Sequence, residues 1–404
     1  MQVKLTDMTD RRSHPGTAGE VFGAFLRLGL TSFGGPVAHL GYFREALVVR
    51  RRWLSEQAYA DVVALCQFLP GPASSQVGMA LGLQRAGYAG LLAAWAAFTL
   101  PSAILMAAFA YAVSALGDVS GAGWVLGLKA AAVAVVAQAV LGMATTLTPD
   151  RKRATVAAAA TITALLAPGA LVQLAVIAGA GAIGLIWLRQ EARAIAEPDD
   201  GDVAFTVLVP RSVALSCLVV FFLLLFALPV LGGGWAVRLF EIFYRSGALV
   251  FGGGHVVLPL LESRLVPTGM VGHDEFLAGY GAVQAMPGPL FTFAAYLGAI
   301  SNQILGAVVA VVGIFLPAAL LVVGALPFWQ TLRHLPQARS ALMGVNAGVV
   351  GLLAAALYDP VFTDGITSAR ALALAVGAFV LLTRWTVPPW AVVFAAAALG
   401  AVTL

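Results

Sequence analysis

The chain has 404 residues, of which 60% are hydrophobic and only 10% are charged, and its net charge is +4. Soluble domains carry about 25% charged residues, so this composition excludes a soluble globular protein. The sequence has no basic patch of the kind that binds nucleic acid, and its two cysteines, Cys66 and Cys217, lie in apolar segments that predict packing rather than a disulfide or a metal site.

Apolar runs long enough to cross a bilayer recur along the chain. A transmembrane helix needs about 20 such residues, and the runs of this kind are Ala89–Leu116, Ala122–Leu147, Ala170–Leu188, Val213–Leu231, Ile304–Trp329 and Ala341–Tyr358. They lack the alternation of membrane β-strands. We therefore predict an all-α polytopic membrane protein. The polar start carries no cleavable signal peptide, so we expect residues 1–19 to form a cytoplasmic tail.

Four short motifs occur twice, in the same order, 216 to 218 positions apart. The pairs are LTSFGGPVAHL (30–40) with ALVFGGGHVVL (248–258), QFLPGP (67–72) with QAMPGP (284–289), FTLPSAIL (98–105) with IFLPAALL (314–321), and GLKAAAV (127–133) with GVNAGVV (344–350). We predict two homologous membrane repeats, residues 20–188 and 238–404. Residues 189–237 supply a polar loop and a linking transmembrane helix.

Basic residues are distributed oppositely in equivalent loops of the two repeats. The loop with Arg44 and residues 50–52 corresponds to one with only Arg264, whereas loop 116–121 has no basic residue and its counterpart has Arg333 and Arg339. Lys and Arg mark the cytoplasmic loops of membrane proteins. The pattern therefore predicts repeats of inverted topology, with an even number of crossings in each.

The Pro-Gly-Pro sequences at 70–72 and 287–289 predict two broken or re-entrant helices. Proline cannot continue a helix but suits the start of a new one, so one half-helix should end at 65–69 and the next should begin at Pro72. The N-terminus of a half-helix offers unpaired N–H groups and a positive dipole, which attract anions. Broken helices at membrane depth survive only inside protein or beside a water-filled cavity.

Side chains and glycines near the breaks extend the candidate anion site. The glycines after Phe33 and Phe251 can form a nest of N–H groups, or can serve close helix packing instead. Lys129 is a charge inside an apolar run, so it predicts either an anion contact or a side chain that reaches the outer interface. The predicted substrate-binding residues are Gly34, Gly35, Gln67, Gly71, Pro72, Ser74, Ser75, Lys129, Gly252, Gly253, Gly254, His255, Gln284, Gly288, Pro289, Thr292 and Asn346.

Catalytic features are not recognisable in the sequence. It has no cluster with metal-ligand spacing, no phosphate-binding P-loop and no pairing of a nucleophile with a base. We therefore expect neither an enzyme nor a bound metal or cofactor. Transport by this chain would have to draw on ion gradients or the membrane potential.

Four stretches carry a family resemblance: SFGGPVAHLGYF, RRRWLSEQAYADVVALCQFLPGPASSQVG, FGGGHVVLPLLE and VQAMPGPLF. They resemble the chromate ion transporter family, in its long form with two homologous halves. The resemblance implies a multi-pass protein of the inner (plasma) membrane that exports chromate and gives chromate resistance, with sulfate as a related oxyanion. A transporter of another anion such as sulfate, an anion channel, and assembly as a homodimer remain open alternatives.

Overall fold

The computed structural model describes residues 16–116, 121–167, 169–190, 207, 209–251, 254–329 and 335–404. Across these ranges the chain is helical and contains no strand, which confirms the predicted all-α fold. The α-helices of nine or more residues are α1 (Ala18–Thr31), α2 (Gly35–Phe43), α3 (Glu56–Phe68), α4 (Ala73–Ala115), α5 (Gly123–Leu147), α6 (Arg151–Leu166), α7 (Ala170–Trp187), α8 (Arg211–Leu231), α9 (Trp235–Leu249), α10 (Val257–Leu265), α11 (His273–Val283), α12 (Phe293–Ala325), α13 (Pro336–Ala356), α14 (Ala369–Thr383) and α15 (Pro389–Thr403).

The apolar runs of the sequence coincide with helices. Five helical segments among the described residues are long and apolar enough to cross a membrane, namely α4, α5, α8 and the stretches Leu290–Phe328 and Pro336–Gly365. The run at 170–188 forms α7, which is apolar but shorter. The protein is therefore a multi-pass α-helical membrane protein.

Two of the long helices contain a second break that the sequence did not predict. Inside α4 the backbone leaves the helical region at Ala86 and Gly87, and inside α12 it does so at Asn302 and Gln303, 216 positions later. The segments on either side of each break pack closely through glycine. A Cβ atom on Gly82 would lie 2.3 Å from the carbonyl oxygen of Gly90, and Gly298 meets Gly306 in the same way.

The short helices of the first repeat form hairpins whose ends lie together. Arg44, just after α2, pairs with Glu56 in the first turn of α3 at 2.7 Å. Glu20, in the first turn of α1, pairs at 3.0 Å with Arg85, which lies just before the break in α4. Trp53 donates to the same carboxylate. A 14-residue helix such as α1 is about 21 Å long, less than the roughly 30 Å of a hydrocarbon core. These elements are half-helices that enter and return.

The second repeat contains the same hairpins. Glu241 on α9 pairs with Arg264 on α10 at 2.9 Å and with Arg245 on its own helix at 3.1 Å. Tyr296, early in α12, donates to the backbone oxygen of Glu275 at the start of α11. The α4 and α12 helices pack against each other at the centre, with α1 against α4 and α9 against α12. This arrangement fits the predicted pair of homologous repeats.

Candidate functional site

Two hydrogen bonds join the broken segments across the repeats. The N–H of Gly71 donates to the backbone oxygen of Val250 at 2.7 Å, and the N–H of Gly288 donates to the backbone oxygen of Ser32 at 2.8 Å. Each Pro-Gly-Pro turn is therefore bonded to the residue that ends a helix of the other repeat, Val250 after α9 or Ser32 after α1.

Glycine is required at the centre of each Pro-Gly-Pro turn. The φ angles of Gly71 and Gly288 are 122° and 89°, a region that side chains disfavour. A Cβ atom on Gly288 would also lie 2.8 Å from Ser102 Oγ and 3.1 Å from the backbone oxygen of Phe98. The close approach lets the turn place its N–H groups against the opposite repeat.

The helices begin at the predicted places with a small difference between repeats. In the first repeat α3 ends at Phe68 and α4 begins at Ala73, so Pro72 precedes the first helical residue instead of being that residue. In the second repeat Pro289 is followed by a 3₁₀ turn, Leu290–Thr292, which leads into α12. The narrower 3₁₀ turn keeps more of its own N–H groups bonded.

Gly288 contacts two serines, because its N–H donates to the backbone oxygen of Ser32 and Ser102 Oγ lies beside it. The ring of His39 packs on Phe98, whose backbone oxygen also faces Gly288. We call Ser32, His39, Ser74, Ser102 and Gly288 the polar junction. His39 Nδ1 lies 3.3 Å from Ser74 Oγ. His39 is 1% exposed and Ser32 is fully buried. Neither His39 Nε2 nor Ser32 Oγ has a hydrogen-bond partner among the described residues. Buried polar atoms are normally bonded, so these two atoms are available to a ligand or water.

The positions equivalent to these four polar side chains, 216 to 218 residues later, are Val250, Val257, Phe291 and Ala318, and together with Gly71 we call them the apolar junction. The backbone oxygen of Val250 and the side chain of Ala318 lie against Gly71. Among the described residues a polar side chain, Gln76, also lies against this turn, and its Nε2 donates to the backbone oxygen of Pro70 at 2.7 Å.

The structure brings together some predicted site residues and separates others. The candidates that lie in or next to the two Pro-Gly-Pro turns and the glycine turn after α1 are Gly34, Gly35, Gly71, Pro72, Ser74, Ser75, Gly288, Pro289 and Thr292. Ser75 is buried and its Oγ has no partner within the described chain, whereas Thr292 donates to the backbone oxygen of Pro289 at 2.8 Å. Gly252 and Gly253 fall outside the described residues.

The remaining polar candidates lie on the helices around the turns. Gln67 is exposed near the end of α3, while Gln284 is half-buried after α11. Gln284 Nε2 and the Oδ1 of Asn346 on α13 have no partner in the described part of the chain. Gly254 and His255 belong to a 3₁₀ turn before α10, and His255 Nδ1 lies 2.6 Å from the hydroxyl of Tyr280.

Lys129 is paired within the protein. Its side chain is 3% exposed, and its Nζ donates to Asp274 Oδ1 at 2.5 Å. Asp274 lies in the first turn of α11, so the length of that helix, about 15 Å, separates the pair from the turn at Gly288. In this conformation the charge of Lys129 is balanced by Asp274, and its contact with an anion stays a prediction.

A separate acidic cavity of about 340 Å³ lies near the start of α11. Its lining includes Glu262, His273, Asp359 and Asp364, and His273 Nε2 lies 2.5 Å from Asp364 Oδ2. Glu262 lies on α10, outside the spanning helices. Burial, and then the carboxylates of Asp359 and Asp364, raise the pKa of Glu262 to about 7. This carboxyl group can therefore exchange a proton near neutral pH.

Sequence reasoning missed His39, Ser32, Ser102 and Gln76. All four lie in or beside the repeated motifs, at positions where the two repeats carry different residues. The signal that could have found them is a polar residue in one repeat whose equivalent in the other repeat is apolar, as with His39 and Val257.

Comparison with known proteins identifies relatives over most of the chain. A family profile described as "Chromate transporter" matches residues 19–185 and 237–401. A chromate transport protein of Pseudomonas aeruginosa is 30% identical over 93% of this chain and 88% of its own length. A probable chromate transport protein of Synechococcus elongatus is 27% identical over 82% of each chain, and a chromate transport protein of Cupriavidus metallidurans is 26% identical over 82% of this chain and 80% of its own. No solved structure matches the chain.

Proposed function

Because the chain belongs to the chromate transporter family, we propose that it is a secondary transporter that exports chromate from the cytoplasm and so confers chromate resistance. Sulfate, which is also a tetrahedral dianion, would compete. The observation that carries the proposal is the pair of hydrogen bonds from Gly71 to Val250 and from Gly288 to Ser32. They bring helix-breaking turns from both repeats to one place in the protein interior.

Inverted orientation of the two repeats is part of the proposal. The hairpin of α3 with the start of α4 opens on the face that holds Glu20 and Arg85. The rest of α4 crosses to the opposite face, where α5 begins, and Lys129 near that end contacts Asp274 at the start of α11. The second hairpin therefore opens on the opposite face.

A second contact supports the same orientation. Trp329 follows α12, which crosses back towards the first face, and its indole N–H donates to Asp61 on α3 at 2.7 Å. In other transporters, inverted repeats place half-helix ends at a shared midplane where substrate binds. One repeat rocking against the other would expose that site to each side in turn.

The anion would be held mainly by N–H and hydroxyl groups. The first turn of α4 offers unpaired N–H groups and the positive end of the helix dipole, and Ser75 adds an open hydroxyl. Each charge moved across 100 mV corresponds to about 2.3 kcal/mol. A dianion leaving an inside-negative cell would gain roughly twice that amount, so the membrane potential can drive export through the inner membrane.

Labelled chromate flux in everted vesicles tests the function, with the membrane potential and the pH gradient set separately. We expect chromate to accumulate when the vesicle interior is made positive, to exchange with unlabelled chromate, and to be inhibited by sulfate. Flux without counterflow exchange would indicate a channel. Uptake only in right-side-out vesicles, or flux of sulfate without chromate, would contradict chromate export.

A further inference from the structure

Four side-chain positions are polar in the polar junction and apolar in the apolar junction, whereas Gln76, which lies against Gly71, is already bonded through Nε2 to the backbone oxygen of Pro70. Ser32, His39, Ser74 and Ser102 in the polar junction correspond to Val250, Val257, Phe291 and Ala318 in the apolar junction. An anion needs hydrogen-bond donors when it leaves water, and an unpaired charge against Val or Phe side chains is strongly disfavoured. The two junctions are therefore not equivalent as binding sites for an anion.

His39 is the one ionisable side chain of the polar junction. Its ring is held by Ser74 Oγ at 3.3 Å and by the edge-on contact with the Phe98 ring. Both contacts are to uncharged groups. The ring is thus fixed in position, while its Nε2 remains without a partner among the described residues.

We propose that the transported oxyanion binds at the polar junction, and that His39 is a specificity-determining residue whose Nε2 hydrogen-bonds directly to an anion oxygen. This inference rests on the transport function proposed above and narrows it from a symmetric site to one side of the repeat interface. The Ser32 hydroxyl, which is also open, and the first turn of α4 would complete the contacts.

The His39–Ser74 pair can serve two protonation states of the cargo. A hydroxyl both donates and accepts, and a neutral imidazole has one donor and one acceptor nitrogen. When Ser74 donates to Nδ1, Nε2 carries the proton and donates to a bare oxygen. When Nδ1 donates to Ser74, Nε2 accepts from the hydroxyl of a hydrogen oxyanion. Chromate takes up a proton near neutral pH and sulfate does not, so His39 would favour chromate.

Substitutions of His39 that leave the fold intact test whether its Nε2 binds the anion. His39→Leu removes the Nε2 contact, and His39→Gln keeps an amide that reaches the same position. Val257→Leu is the matched control, because Val257 is the equivalent position in the apolar junction. The measurements are half-saturation for chromate and inhibition by sulfate in everted vesicles, with the amount of protein in the membrane determined for each variant.

A hydrogen bond to a charged group corresponds to roughly tenfold to a hundredfold in affinity. We expect His39→Leu to raise the chromate concentration for half-saturation at least about tenfold. The sulfate concentration needed for inhibition should rise by a smaller factor. His39→Gln should stay within about threefold and Val257→Leu within about twofold of the wild type. Wild-type half-saturation in His39→Leu, or an equal loss in Val257→Leu, would overturn the proposal.

A second measurement separates binding from folding. Chromate should raise the unfolding temperature of the purified wild type and of Val257→Leu in detergent, but not that of His39→Leu; protection of His39→Leu by chromate would contradict the site. If the wild type is protected by sulfate alone, the chromate assignment fails, and the same three variants tested with sulfate still decide where the anion binds. If the wild type transports neither anion and neither anion raises its unfolding temperature, the proposed transport function and the proposed site are both wrong.

Discussion

At Gly288 the Pro-Gly-Pro turn of the second repeat meets Ser32 and Ser102, whereas at Gly71 the matching turn meets Val250, Ala318 and the end of the Gln76 side chain. The backbones are alike, since both glycines have positive φ and both donate to a carbonyl of the other repeat. The difference teaches that the two repeats share the backbone arrangement and do not share the polar side chains at Ser32 and Ser102.

The charged pairs at the open ends of the hairpins also differ between the repeats. In the first repeat Arg44 pairs with Glu56 through two hydrogen bonds. The equivalent positions in the second repeat are Glu262 and His273, 218 and 217 residues later, with 3.9 Å between a carboxylate oxygen and Nδ1. The basic and acidic positions have exchanged, and the carboxyl group of the second pair, Glu262, has a pKa raised to about 7 by burial and by Asp359 and Asp364.

The largest effect on stability is expected when the Lys129–Asp274 ion pair is broken. The position equivalent to Lys129 in the second repeat is Asn346, which carries no charge. Asp274→Asn leaves a buried ammonium without its partner, which should lower the free energy of unfolding by roughly 3 to 5 kcal/mol. Lys129→Met should cost less, because the Asp274 side chain is 45% exposed and stays solvated. Thermal unfolding of the purified variants measures both.

The double variant Lys129→Met with Asp274→Asn should regain most of the stability. It also tests the predicted anion contact, because a stable protein with no charge at 129 should still fail to transport chromate. Wild-type transport by the double variant would show that Lys129 only balances Asp274. Asn346→Ala is the control, for which we expect a smaller loss of transport.

Glu262→Gln should stabilise the protein at alkaline pH. Because the folded pKa of about 7 lies above the ordinary value of 4.5, the folded state binds the proton more tightly. The resulting stability is complete below the ordinary pKa and is lost as the pH rises through 7. The variant should therefore gain up to about 3 kcal/mol at pH 8 and little at pH 5. Equal shifts at both pH values would contradict this, and Glu56→Gln in the first repeat should change little.

Gly288→Ala should be more harmful than Gly71→Ala. Both substitutions place a side chain at positive φ, which costs about 1 to 3 kcal/mol. The new Cβ at 288 would also meet a backbone oxygen at 3.1 Å, whereas at 71 it meets the movable end of Gln76 at 2.9 Å. Chromate flux should be abolished by Gly288→Ala and only reduced by Gly71→Ala. The reverse order would remove the distinction between the junctions.

The smallest effect is expected at the hydroxyls of Ser75 and Thr292. Ser75 Oγ is open, and Thr292 Oγ1 is already bonded to Pro289. Ser75→Ala should raise half-saturation for chromate by a few fold, about what one hydrogen bond contributes, and Thr292→Ala should leave it almost unchanged. Flux at graded chromate concentrations measures both, and equal effects would favour a symmetric site.

Local chemistry explains why some features could be predicted from the sequence. The breaks at Pro70 and Pro287 were predictable because proline lacks an N–H and clashes with the preceding turn. The breaks at Ala86–Gly87 and Asn302–Gln303 were not, because neither contains proline and both lie within otherwise helical sequence. They depend on the close packing of glycines that face each other only after the chain has turned.

Side-chain partners were harder to predict than backbone breaks. Asp274 lies 145 positions from Lys129, so their pairing follows from tertiary structure and not from spacing. His39 was inside a recognised motif, yet its importance depends on contacts with Ser74 and Phe98 that only the fold creates.

The glycine contacts between Gly82 and Gly90, and between Gly298 and Gly306, leave no gap between the helices they join. Each hairpin is thereby joined tightly to the long span that follows it. A transport cycle in which one repeat moves against the other would have to change the contacts between repeats, among them the bonds to Ser32 and Val250.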